Sequence, residues 1–282
     1  MNQQEQFYEE ILSELKSGKL VLPVLPDVAL KVNDIAESPD ASITDLSEII
    51  LSDATLSAEL LRVANCPLYR GRNPVDKVQT AITRLGLKMV RNLVSSLVLE
   101  QMFQAPSVSI ADRLQALWQH SADVAALCHV LASKQPGIPS DEAMLAGLIH
   151  DIGVLPILLK ADERPELLEN PALLQSIMDD LSAPIGTAIL ESWDFPEGLI
   201  AAVAEHKNYQ RDSVNGPDLV DIVQVANLQS AANVGQILTD EELAMVPSII
   251  KLGVQIEVEV EEIDEDSEEY AEALALFGKA AV

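Results

Sequence analysis

The stretch that most restricts this chain is LAGLIHDIGVLPILL, Leu145 to Leu159, where His150 and Asp151 sit side by side in the most apolar window of the sequence. A run of this composition is expected to form a buried helix, stopped near Pro156. An ionised aspartate inside it needs a partner or a metal, because an unpaired buried carboxylate is prohibitively costly. The window is shorter than the roughly 20 residues a bilayer span requires, so it belongs to a folded core.

The remaining chain punctuates into short helical runs. Residues 3–16 and 26–37 are split by the prolines of VLPVLP, and DASIT and Ser52-Asp53 supply caps for runs ending at Leu51 and Asn65. A long stretch from Val75 to Phe103 is interrupted only by Gly86, and Ile110 to Lys134 reads as one helix. Further helices are expected at about 171–181, 184–192, 196–207, 218–235 and 240–252. Only Val254 to Ile263 alternates with period two, and without a turn partner it reads as a connector or isolated strand. The expected fold is all-α, a two-lobed helical bundle whose lobes meet near residues 104–109. The domain boundaries drawn are an N-terminal helix at 1–19, a main domain at 20–230 (lobes about 20–106 and 107–230), and a helical extension at 231–282 with an acidic segment.

Composition excludes several functions. With 48% hydrophobic and 22% charged residues the chain folds, and its ten aromatics offer few rings for stacking on single-stranded bases. A net charge of −27 opposes general adhesion to nucleic acid or to an anionic membrane. The polar, acidic N-terminus lacks the pattern of a signal peptide, and two cysteines, Cys66 and Cys128, form no framework, so a cytoplasmic protein is expected. Ten acids between Glu257 and Glu272 read as a solvated face or flexible link. Against this background, Arg62 to Arg91 holds seven of the eighteen basic residues and one acid. Arg84, Lys88 and Arg91 fall at i, i+4 and i+7; they either pair with acids from elsewhere or form an anion- or partner-binding patch.

Four histidines are present. His120 lies on a long amphipathic helix upstream of His150 and Asp151, and imidazole with carboxylate from neighbouring helices is a standard way to hold a divalent metal in a bundle. The plain alternative for His120 is a hydrogen-bonded histidine at a helix interface. His129, nine residues further along, falls on the opposite face and is left out of any site. His206 is expected to act as a cation near a helix C-terminus. Asn65 reads as a helix-ending residue satisfying orphan carbonyls, with ligand contact as the alternative. Trp118 and Trp193 are expected in the core, and Gly86 and Gly186 at turns or close helix approaches.

LPVLPDVALKV, the segment from Leu51 to Val94, LAGLIHDIGVL and IGTAILESWDFPEGLIAAVAEH together resemble the HDOD domain, the HD-related output domain of bacterial signal-transduction proteins. The elements that carry the resemblance are Ala64, Asn65 and Tyr69; Ala81 to Gly86; and Gly186, Leu190, Trp193 and Pro196. It implies an HD-domain-like second lobe related to metal-dependent phosphohydrolases, whose ligands are a histidine, a His-Asp pair and a later aspartate. His120, His150 and Asp151 match the first three positions, and Asn227 stands at the fourth, keeping a carbonyl oxygen but removing a negative charge. Ser182, and Lys207 after His206, occupy positions where histidine is common. A Gly-Tyr-Pro triplet is absent, which separates the chain from the cyclic-di-GMP phosphodiesterase branch.

Three readings follow. The favoured one is a cytoplasmic signalling output module acting through a protein partner, with no required catalysis and with homo-oligomer formation left open. The second is a metal-dependent phosphohydrolase in which His120, His150, Asp151 and Asn227 bind a divalent ion that activates water. The third is an anion- or nucleotide-responsive regulator using Arg84, Lys88 and Arg91. Asn227 and Ser182 favour the first over the second. No receiver, kinase or cyclase domain is read in the chain, so a signal is expected to arrive by binding.

Overall fold

In the computed structural model, which describes residues 3–38, 42–104, 106–214, 216–230, 238–254 and 268–277, helices are the only regular elements among the described residues. α1 (Gln3–Lys16) and α2 (Asp27–Glu37) flank the extended crossing at Pro23 and Pro26. α3 (Ile43–Leu51) starts where the Ser42 hydroxyl accepts from the Asp45 amide at 3.1 Å. α4 (Ala54–Asn65) starts where the Asp53 carboxylate accepts from the Thr55 and Leu56 amides at 2.8 and 3.0 Å. These side chains satisfy amides that have no partner inside the first turn.

Gly86 divides the next stretch into α5 (Val78–Leu85) and α6 (Leu87–Met102). Its φ of +85° is a conformation that residues with a β-carbon rarely adopt, so the chain turns there. Arg84 therefore ends one helix while Lys88 and Arg91 lie on another, which corrects the expectation of a single basic helix face.

The second half is built on α7 (Ala111–Ser133), which packs along α8 (Ser140–Ile149) and α13 (Leu219–Gln229). Around them lie α9 (Val154–Asp162), α10 (Pro165–Leu168), α11 (Pro171–Ser192) and α12 (Glu197–Glu205). α14 (Asp240–Leu243), α15 (Pro247–Leu252) and α16 (Glu268–Leu274) complete the order, with a 3-10 turn at Ala275–Phe277. The halves are joined by α6 packing on α8 and α1 on α11, and one hydrophobic core runs from Phe7 to Phe277.

Two helix limits differ from expectation. The apolar run breaks at His150–Gly153 and not at Pro156, which is the third residue of α9, where a missing amide hydrogen costs no helical bond. The helices expected at 171–181 and 184–192 are the single helix α11, which passes through Pro184. Pro184 and Asp180, whose carbonyl loses its partner, are both exposed, so water can take over that bond. The period-two stretch at 254–263 lies, apart from Val254, outside the described residues. Ser140 to Asp162 is long and apolar enough to cross a membrane by composition, but 83% of its most apolar window is buried in the fold.

Candidate metal centre

The His-Asp pair occupies an elbow. α8 ends at Ile149, and the chain turns through hydrogen bonds from Ile152 N to Ile149 O (2.9 Å) and from Val154 N to Asp151 O (2.9 Å) before α9 begins. The elbow is pressed onto α11: a β-carbon on Gly153 would lie 1.9 Å from the Ser182 carbonyl oxygen. Glycine is required there by contact, and the result is to aim His150 and Asp151 at α7, at the end of α12 and at α13.

His120 and His206 flank His150, with ring centroids 5.1 Å away on either side and planes 69° and 86° apart. Candidate ligand atoms of His120, His150 and Asp151 all lie within 4.8 Å of one another. Asp151 Oδ2 is 3.4 Å from His150 Nε2, and its Oδ1 is 3.3 Å from His206 Nε2. Lys207 places its ammonium 3.4 Å from Asp151 Oδ1 and donates to Ser182 Oγ at 2.9 Å. Asn227 is buried on α13, close to the side chains of His120 and Tyr209. Burial pushes the Tyr209 phenol up to about 12, so it stays protonated.

The protons of the histidines decide what they offer. His150 Nδ1 lies 2.7 Å from Gly147 O and His206 Nδ1 lies 2.9 Å from Val203 O. A carbonyl only accepts, so each Nδ1 carries a proton, and a neutral ring then presents its Nε2 lone pair to Asp151. Both Nε2 atoms are buried without a hydrogen-bond partner. Lone pairs facing a carboxylate at this range repel unless each ring takes a second proton or a cation lies among them. Burial pushes the His120 pKa down to about 4, helped by His150 and His206, and lowers that of His206 as well, so the second proton is the costlier route for those two rings. Burial also opposes the charge on Asp151, but His150 when it carries a second proton, hydrogen bonds from His150 and His206 in that state, and the Lys207 ammonium outweigh it and hold the acid well below the usual range. Two to three imidazole nitrogens, one carboxylate and a carboxamide oxygen form a donor set that fits a borderline divalent cation.

The structure thus brings together His120, His150, Asp151 and Asn227, and adds His206 and Lys207. His206 corrects the reading of a cation at a helix end: it is fully buried, and burial favours its neutral form. The signal was present, since His206 follows Ala202 and Val203 by four and three residues, and both belong to the buried face of α12. His129 stays apart, edge-on to Tyr69. Arg84, Lys88 and Arg91 are engaged differently. Arg84 donates to the Ala64 and Asn73 carbonyls at 2.9 and 2.5 Å, Lys88 is exposed, and Arg91 donates to Asn92 Oδ1 at 3.3 Å.

An all-α fold with a histidine from one helix, a His-Asp elbow from the next pair and a carboxamide from a fourth is an HD-type architecture. The HDOD domain matches residues 22–209, and the chain belongs to the HDOD family. A crystal structure from Shewanella amazonensis SB2B, named "Putative metal-dependent phosphohydrolase", is 29% identical and superposes with a TM-score of 0.83 over 98% of this chain and 100% of its own. An HDOD domain protein of unknown function from Geobacter sulfurreducens, 20% identical, shares the fold with a TM-score of 0.66 over 98% of this chain and 99% of its own. An uncharacterized protein of Treponema pallidum (strain Nichols) is 27% identical over 221 residues, covering 73% of this chain but 42% of that protein. The chain therefore spans less than half of that relative's length.

Proposed function

We propose that this protein is a cytoplasmic HDOD output module of a bacterial signal-transduction system, acting on a protein partner, with a centre that binds one divalent cation for structure or sensing and not for turnover. The observation that carries this reading is the contact of Lys207 with Asp151. Among the described residues the centre has a single carboxylate, one of its oxygens already faces the Lys207 ammonium, and Asn227 supplies no charge where the family resemblance expects an aspartate. When bound, a divalent ion supplies Lewis acidity and lowers the pKa of bound water. This chain's residues favour holding the ion over activating it. His120, His150 and Asp151 would hold it, with His206 and the Asn227 carboxamide beside them, and the ammonium lowers the negative charge that a catalytic ion needs around it.

The buried, unpartnered Nε2 atoms of His150 and His206 support a second reading, metal-dependent phosphohydrolysis, and the name carried by the Shewanella amazonensis protein points the same way. The third, anion-binding reading loses support because Arg84 is engaged by backbone carbonyls. Elemental analysis of protein purified without chelator, beside turnover of generic phosphomonoesters and phosphodiesters, separates the first two. Bound metal without turnover supports the output module. Stoichiometric metal with turnover that disappears in His150→Ala overturns it in favour of the hydrolase.

A further inference from the structure

The C-terminal segment lies back across both halves of the fold. α16 packs along α7, and Arg62 of α4 donates to the Leu276 and Ala275 carbonyls at 3.1 and 3.4 Å. Phe277 meets Trp118 edge to face, with ring centroids 6.3 Å apart. From α16, Tyr270 donates its hydroxyl to Asp123 Oδ1 at 2.5 Å. The other oxygen of that carboxylate accepts from Ser230 Oγ, and Ser230 Oγ lies 3.3 Å from His120 Nδ1. An unbroken line of polar contacts therefore joins the C-terminal helix to a histidine of the centre.

Counting protons gives the line a direction. A carboxylate only accepts, so the single proton of the Ser230 hydroxyl is committed to Asp123. Ser230 must then meet His120 Nδ1 through a lone pair, and Nδ1 must carry the ring proton. Nε2 is left as the unprotonated nitrogen, which is the state a metal ligand needs. His120 thereby matches His150 and His206, whose Nδ1 protons are held by backbone carbonyls. On His120 the same task falls to side chains, one of them tied to α16.

We propose that Asp123, acting through Ser230 and steadied by Tyr270, is a positioning residue that holds His120 in the Nδ1–H tautomer and so sets the cation affinity of the centre. Docking of residues 268–277 is coupled to the centre by this route. The affinity half of the proposal rests on the cation reading given above; the tautomer half does not. Outer partners of this kind tune metal affinity by about 10- to 100-fold elsewhere.

The test uses the full chain with 15N-labelled histidine, free of metal and at neutral pH, and records the imidazole nitrogens. In the wild type His120 is expected to show a protonated Nδ1 and an unprotonated Nε2. Asp123→Asn releases the Ser230 proton to turn toward the ring, so the His120 pattern is expected to move toward Nε2–H and Zn2+ affinity to fall about 10-fold. Asp123→Glu is expected to restore the wild-type pattern, and Tyr270→Phe to give a smaller shift in the same direction. Unchanged His129 signals and thermal unfolding show that the fold is kept. A His120 pattern that stays the same in both Asp123→Asn and Ser230→Ala overturns the proposal. If the wild type takes up no Zn2+ while the tautomer still shifts, the cation reading fails and the Asp123 relay stands.

Discussion

The Lys207 ammonium faces Asp151 Oδ1 at 3.4 Å while donating to Ser182 Oγ at 2.9 Å, so the one carboxylate of the centre among the described residues is shared between its histidines and an ammonium. The ammonium also competes with any divalent ion for Asp151. Lys207→Met is therefore expected to tighten Zn2+ or Mn2+ binding by about 10-fold, a modest fraction of the full Coulomb term because Lys207 is about a third exposed. Calorimetric titration of the two proteins checks this, and thermal unfolding adds a second measure. The metal-free variant should melt below the wild type, and saturating metal should raise its melting point by more.

Asn227→Asp makes the converse change. Asn227 is buried against His120 and Tyr209, and a carboxylate there adds a negative charge to the donor set without altering its size. Divalent affinity is expected to rise at least about 10-fold, with the metal-free protein destabilised by the unpaired charge. Equal metal affinity in the variant and the wild type would show that Asn227 takes no part in the centre.

Asn65 shows how a family signature residue serves the fold. Its Nδ2 donates to Leu61 O and Val75 O at 2.9 and 2.7 Å, and its Oδ1 accepts from Val75 N at 2.7 Å. It therefore closes α4 and ties the returning chain to it. Asn65→Ala strands these backbone groups in a partly buried place and should cost about 2–3 kcal/mol, read as a lower urea midpoint with an unchanged slope.

Helix content, most helix starts and the buried His150-Asp151 pair were legible because they rest on local rules: caps, periodicity, and the cost of an unpaired buried acid; His120 joined the pair through the family resemblance. What escaped depends on contacts distant in sequence. Asp123 is one of two acids on α7 and nothing local marks it out; its role depends on α13 delivering Ser230 and α16 delivering Tyr270. The apparent alignment of Arg84 with Lys88 and Arg91 assumed continuity across Gly86, whose positive φ breaks it. Pro184 and Pro156 looked like stops, yet an exposed carbonyl in one case and a first-turn position in the other make both tolerable.

Acid should weaken the α12–α13 connection. Burial alone would raise the Asp218 carboxyl, but hydrogen bonds from Arg211 and from the Asp221 and Val220 amides bring it below its ordinary value. A folded-state pKa below the unfolded one contributes stability above about pH 3.9 that is lost as pH falls through the folded value. Asp218→Asn keeps a capping side chain and removes the titration. The melting temperature of the variant should lie below that of the wild type at neutral pH, with the gap closing in acid.

The basic stretch yields a prediction that separates folding from binding. The Arg84 guanidinium bonds the Ala64 carbonyl at the end of α4 and the Asn73 carbonyl in the following loop, and a β-carbon on Gly71 would lie 3.3 Å from it. Arg84 therefore fastens the 66–77 loop to α5. Lys88 is exposed, one residue into α6 from Leu87, and none of the hydrogen bonds or ion pairs described above involves it. Arg84→Gln should lower stability by about 1.5–3 kcal/mol, whereas Lys88→Gln should change it by no more than about 0.5 kcal/mol. Urea unfolding of the two variants gives both values side by side. Equal, small effects would return Arg84 to the pool of free surface cations and restore the basic stretch as a candidate anion site.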